Sequence, residues 1–439
     1  MKNTFAILVV ITMGLLSSSS IAQPDSDNTS ECIVPSNLST TLAKSDWKKL
    51  HDFLYPQFEN CLDRSDYFAL YGASLLYLGD TNTAIEMLER ALLIDPYNGS
   101  AKVDYAQALY QSGELISALQ TNGELLQETS IPPALYTALQ RRQDQWEQQK
   151  NLWRSQFSYL YGHSSNLNNA TYIENYEQTY QGYNIIRPIL GSSRPQSGGY
   201  HNFRFTAQYF TLLAEGISLL TISSQSRKSK IDSVDTDAFS MYYGKNIEGR
   251  TLNHRWQIGL EHVRLGDEGL YSSFEGNYTL TPRDSVSHVK FELGHTHFNG
   301  DHSLDDISFS IKPGVTYSIG THQLGAEISL GLNASLEERA GGNRTIKKAA
   351  IFYDLPVLNG RLMSKFSVTA TRDREGFSPA LANNETRNTD YWSAELQYIY
   401  PISENFTIQS SYYYRDQDSN IEIFKTKNES IDFGFNYRF

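Results

Sequence analysis

From residue 152 to the carboxy terminus the chain alternates. Segment after segment carries apolar residues at every second position, with polar residues between them. Successive side chains of a strand point to opposite faces, so the pattern writes strands with one apolar and one polar face. The end of the chain is the clearest case. Ile431, Phe433, Phe435, Tyr437 and Phe439 share one face; Asp432, Gly434, Asn436 and Arg438 share the other.

Fourteen such segments are expected, at 154–163, 201–213, 217–227, 236–246, 252–264, 270–281, 286–298, 305–317, 322–333, 345–356, 360–372, 389–400, 405–416 and 428–439. Their lengths suit tilted strands crossing a bilayer, which need about 9–11 residues. Charges recur in mid-strand on the polar face. Lys290 and Glu292 oppose Val289, Phe291 and Leu293; Arg361 and Lys365 oppose Leu362, Phe366 and Val368. A sandwich also alternates, but a water-filled lumen accommodates such charges better.

The connections separate the two architectures. Those at 164–200, 228–235, 299–304, 334–344, 373–388 and 417–427 are long. Those at 214–216, 247–251, 282–285, 318–321, 357–359 and 401–404 are short, and 265–269 is a short one among the long set. A bacterial outer-membrane barrel has this rhythm, with short periplasmic turns, long outer loops and an even strand number. Both barrel ends then fall on the short-turn side. The expected fold is two-part: all-α helical repeats, then an antiparallel transmembrane β-barrel of about fourteen strands.

The amino terminus reads as a signal peptide over residues 1–22. Met1-Lys2-Asn3 precedes an apolar run from Phe5 to Leu16, and Ser20-Ile21-Ala22 supplies small residues for cleavage. The run is too short for a span, which takes roughly 20 residues. Gln23 is the expected mature start. Cys32 lies too far downstream for a lipid-anchored terminus.

Between 36 and 150 the period is helical. A 34-residue repeat is visible: Leu75 matches Leu109, Gly79 matches Gly113 and Ala84 matches Ala118. Counting from Ser65, the small residues Gly72, Ala84 and Ala91 and the terminating Pro96 sit where tetratricopeptide repeats place them. The second unit, from Gly99, has Asn122 and Leu125 where the first has Leu88 and Ala91. Residues 36–63 read as a degenerate capping unit. A generic helical bundle is the plain alternative. The inner face of such an array is lined by the first helix of each pair. It would present Asp66, Ala69, Ala73, Leu76 and Tyr77, then Ser100, Val103, Gln107, Tyr110 and Gln111. That mixed surface suits a peptide or an unfolded chain.

Cys32 and Cys61 are the two cysteines. In an oxidising compartment a disulfide between them is the expected state, with two independent buried thiols as the alternative. The chain carries a net charge of −12, which argues against nucleic acid as a partner. Nucleotide and zinc-protease motifs are absent, and no enzyme activity or cofactor is expected. His295 and His297 share a face with Phe291 and Leu293, and His302 follows in the next loop. They read as an interfacial belt rather than a metal site. Asp301, Asp305, Asp306, Asp416 and Asp418 read as solvated loop charges rather than calcium ligands.

With its signal, repeats and barrel, the chain resembles the surface lipoprotein assembly modulators, the Slam family. Gly162-His163-Ser164-Ser165-Asn166-Leu167-Asn168-Asn169 is similar to the Gly-x-x-x-Asn-x-Asn start of that family's barrel. The resemblance implies a barrel in the outer membrane (residues 151–439) and a periplasmic helical domain (23–150). It implies a surface lipoprotein or secreted protein as client, held by the repeats and passed through the barrel. Other partners would be outer-membrane lipid and the barrel-insertion machinery, which would read Phe435, Tyr437 and Phe439 as its signal. The rival readings are an exopolysaccharide export porin, a general porin or surface receptor with a helical appendage, and an outer-membrane enzyme.

Overall fold

The computed structural model describes residues 31–35, 44–128 and 131–439. The signal peptide expected at 1–22 lies outside them. The chain divides into two compact units, Met1–Ile131 and Pro132–Phe439.

The first unit is helical: α1 (Lys44–Leu54), α2 (Ser65–Leu78), α3 (Thr81–Ile94), α4 (Gly99–Ser112) and α5 (Leu115–Leu126). Gly79 and Gly113 end α2 and α4 in the left-handed region, at φ 95° and 93°. A side chain there would be strained. Asp80 and Asn98 then cap α3 and α4, accepting from the Thr83 and Ala101 amides at 3.3 and 3.0 Å. Within each pair the helices touch through small residues. A Cβ on Gly72 would lie 2.6 Å from Leu88 Cγ. Ala84, Ala91, Ala106 and Ala118 are fully buried. The Cys32–Cys61 disulfide is formed, with Cα atoms 5.2 Å apart. Closing a loop of that size stabilises the fold by about 3.5 kcal/mol.

The second unit begins with α6 (Pro133–Gln149), which runs through Lys150 into β1 (Asn151–Ser164). A hairpin of β2 (Asn175–Tyr180) and β3 (Tyr183–Pro188) follows. Then come β4 (Gly198–Leu213), β5 (Gly216–Ser229), β6 (Thr236–Ile247), β7 (Leu252–Leu265), β8 (Glu268–Pro282) and β9 (Ser287–Phe298). The last are β10 (Asp306–Ile319), β11 (His322–Ser335), β12 (Arg344–Val357), β13 (Gly360–Ser378), β14 (Leu381–Pro401), β15 (Phe406–Ser419) and β16 (Thr426–Arg438). From β4 to β16 each strand pairs antiparallel with the next, and β1 pairs with both β4 and β16. The ring therefore closes with fourteen strands and leaves no unpaired edge. The β2–β3 hairpin stands outside it, joined to β14 through Leu381 and Gln178.

Two expectations need correction. The connection 164–200 holds a hairpin, turned by Gln181 and Gly182 at φ 50° and 79°. The connection 373–388 is mostly strand, because β13 and β14 run on to Ser378 and back from Leu381. Irregular register after Arg372 lets this extension bend. The short connection at 265–269 is a turn at Gly266-Asp267 between β7 and β8.

Candidate functional site: the lumen and the helical face

The strand period sorts the barrel's side chains into two populations. Outward rows are apolar, as in the register chain Leu293–Phe309–Leu332 across β9, β10 and β11. Leu293 is 57% exposed and Phe433 62%. Inward rows are polar. Glu292 lies between Lys290 at 2.6 Å and Lys312 at 2.5 Å and accepts from Ser310 Oγ at 3.1 Å. Lys365 pairs in register with Glu395. The mid-strand charges singled out in the sequence thus face the lumen. A cavity of about 990 Å³ opens among Arg154, Gln156, Arg204, Glu395, Gln409 and Arg438, at the rim where β1 begins and β16 ends. Its lining is polar and charged.

The opposite rim is knotted by ion pairs. The Asp373 carboxylate, fully buried, meets Arg344 at 3.0 Å and Arg387 at 3.1 Å. The Arg387 guanidinium lies over the Phe377 and Phe424 rings at 4.7 and 4.6 Å. Arg339, from the β11–β12 loop, is 2% exposed at its side chain and reaches Asn333 Oδ1 at 2.6 Å and Asp306 Oδ2 at 3.5 Å. Sequence reading missed this knot. Its members are scattered over four connections or strand ends, and no spacing ties them together.

The seam is specific. Phe435 faces Tyr159 and Tyr437 faces Phe157, and the Phe439 amide donates to Ser155 O at 2.9 Å. Gly162 leaves room for the Tyr200 ring, whose hydroxyl donates to Asp432 Oδ1 at 2.5 Å across β1. The two asparagines of the Gly-x-x-x-Asn-x-Asn stretch act as staples. Asn166 donates to Ala170 O and Lys427 O at 2.8 and 2.9 Å and accepts from the Ala170 amide at 2.9 Å. Asn168 donates to Arg194 O and accepts from the Gln196 amide, at 2.9 and 3.0 Å. Together they hold the long first loop against β16 and against its own return.

In the helical unit the ten candidate face residues divide. Ala69, Ala73 and Leu76 are buried, and Ala69 and Leu76 share a core with Leu50 and Leu54 of α1. Helix α1 therefore covers much of the α2 row. Tyr77 is 53% exposed and stacks on Trp47 of α1, ring centroids 4.4 Å apart. Asp66 is exposed, and its bond to Arg64 at 2.6 Å holds its carboxyl below the usual range. Ser100 and Gln111 are exposed, while Val103, Gln107 and Tyr110 are half-buried on α4. The open part of the face is thus the α4 row with Tyr77 at its edge. The covering helix had no sequence signal beyond a weak capping unit.

The architecture defines a class: helical repeats followed by a closed fourteen-strand antiparallel barrel. A tetratricopeptide-repeat family model matches residues 75–142. Among solved structures, the chain is similar to the translocator domain of the autotransporter NalP from Neisseria meningitidis. The identity is 12% over 70% of this chain and 97% of that one, with a TM-score of 0.29. It is also similar to an anion-selective porin from Comamonas acidovorans, at 8% identity over 66% and 99% of the two chains and a TM-score of 0.36. A type III secretion translocator chaperone, SycD from Yersinia enterocolitica, matches 25% of this chain and 89% of its own at 18% identity and a TM-score of 0.20. No curated protein sequence matches the chain.

Proposed function

We propose that this protein is an outer-membrane translocator that moves a surface lipoprotein or secreted protein outward. The observation that carries the reading is the inverted wall of the closed ring: apolar side chains outside, charges such as Lys290, Glu292 and Lys312 inside. That inversion suits lipid around the barrel and water within it. The helical repeats stand on the periplasmic side in this reading, since β1 enters from the short-turn rim. There the α4 row and Tyr77 engage an extended client segment. Phe435, Tyr437 and Phe439 serve the barrel-insertion machinery before they close the seam. The protein catalyses no covalent step.

The test is deletion of the gene followed by protease treatment of intact cells. Loss of surface exposure for a lipoprotein or secreted partner is the expected outcome. If every such protein remains exposed as before, translocation is the wrong reading. Removal of residues 36–150 should abolish client handling while the barrel still assembles; unchanged export would remove the role given to the repeats.

A further inference from the structure

We infer that the β9–β10 connection carries a surface site for a divalent transition ion of the zinc class, built from His297, His302 and Asp305. One donor atom from each of the three lies within 4.8 Å of the other two. His297 Nδ1 stands 2.8 Å and His302 Nδ1 3.6 Å from Asp305 Oδ2, and the two imidazole rings stack with centroids 4.9 Å apart. A tetrahedral zinc with bonds near 2.0–2.1 Å sets its donors about 3.3 Å apart, so small side-chain rotations bring all three into coordination. Two imidazoles and one carboxylate select zinc and its first-row neighbours over calcium, which takes six or more oxygens. Three protein ligands leave a fourth position for water or a donor from outside.

Asp305 is not the solvated loop charge its sequence position suggests. It is 8% exposed, and its second oxygen accepts the Phe298 amide at 2.7 Å. That bond fixes the carboxylate and aims Oδ2 at the histidines, as an outer partner does for a metal ligand.

A second connection in the same barrel has the same frame without the imidazoles. Between β5 and β6, Asp235 accepts the Ser229 amide at 2.7 Å, and Lys228 stands 3.9 Å from Asp235 Oδ2. Each connection makes one short 3-10 turn just before its aspartate, Asp232–Val234 in one and His302–Leu304 in the other. In the first connection a lysine ammonium stands beside the carboxylate while donating to Asp237 at 3.0 Å. The second puts His297 in the lysine's place and His302 in the place of Asp232. The carboxylate alone is therefore a turn-closing device, and the pair of histidines is what adds coordination.

The experiment uses the untagged full-length protein, folded in detergent and stripped with a chelator. Zinc chloride is titrated by calorimetry, and bound metal is counted after gel filtration. One zinc per chain is expected, with at least a tenfold loss of affinity in His297→Ala, in His302→Ala and in Asp305→Asn. The double variant His297→Lys with His302→Asp copies the β5–β6 pattern; it should keep the heat-modifiable mobility of a folded barrel and bind no zinc at this site. His322→Ala, elsewhere in the barrel, should bind as the parent does. If the parent binds zinc no more tightly than the double variant, the site does not exist.

Discussion

The two units hide their apolar residues in opposite places. In the helical unit, Leu88, Ala91 and Phe68 are fully buried against one another's helices. In the barrel most of the large apolar side chains along the strands are exposed, while polar ones such as Ser367, Thr369, Gln409 and Asn436 are nearly buried. Water is the outer solvent of one unit and, in the proposed reading, the inner solvent of the other. Exposure alone therefore does not say whether a residue sits in its preferred surroundings. The period in which apolar residues recur does.

Four substitutions probe that inversion. The largest effect belongs to Leu88→Ala, which empties the space beside Gly72. A buried leucine loses about 2–5 kcal/mol on such truncation. Far-ultraviolet circular dichroism should show the helical transition at a lower temperature while the barrel's heat-modifiable mobility stays unchanged. Loss of both together would mean that the two units fold as one.

Next is a matched pair in the barrel wall. Leu293 faces outward opposite Gly276, and Asn277 faces inward opposite Glu292, one register step away. Leu293→Lys should cost about 3 kcal/mol in a bilayer, the range for a lysine near the midplane. Asn277→Lys places the same charge beside Glu292 and should change stability by less than about 0.5 kcal/mol. Urea unfolding in lipid vesicles measures both. Equal costs would sink the assignment of faces.

A pH dependence follows, smaller than the cost of an outward-facing lysine. Burial pushes the Tyr67 phenol up to about 12, and its hydroxyl donates to Leu54 O at 2.9 Å. The folded value exceeds the unfolded one, so the neutral form stabilises the helical unit fully below pH 10. That contribution is lost as pH rises from 10 to 12, by about 2 kcal/mol. Tyr67→Phe should give up about 1 kcal/mol at neutral pH and flatten the alkaline decline. An undiminished decline in the variant would assign it to another group.

Much of this was legible because a period survives any tertiary context. The strand rows and the 34-residue repeat follow from local spacing, and the disulfide partners from the chain having two cysteines. What escaped did so for physical reasons. Asp373, Arg374 and Glu375 read as loop because polar residues occupy consecutive positions, yet beyond the lipid a paired strand needs no apolar face. The hairpin at 175–188 carries a Gln181-Gly182 turn signal, diluted by the polar residues around it. The α1 cover over Ala69 and Leu76 depends on contacts between segments that share no repeat. The Arg339–Asp306 and Arg344–Asp373 contacts join residues about 30 apart with no periodic relation.

The seam sets an order in time. The amide of the final residue, Phe439, meets the carbonyl of Ser155 near the start of the first strand. Helical partners in the repeats lie a few tens of residues apart, so they can meet while most of the chain is still extended; local contacts form fast and distant ones late. The ring has no such shortcut. Until the last strand arrives, β1 and the newest strand both present free backbone edges, open to any strand offered. By that rule the helical contacts precede closure of the ring. The chain's final residues are what end its exposure to the wrong partner.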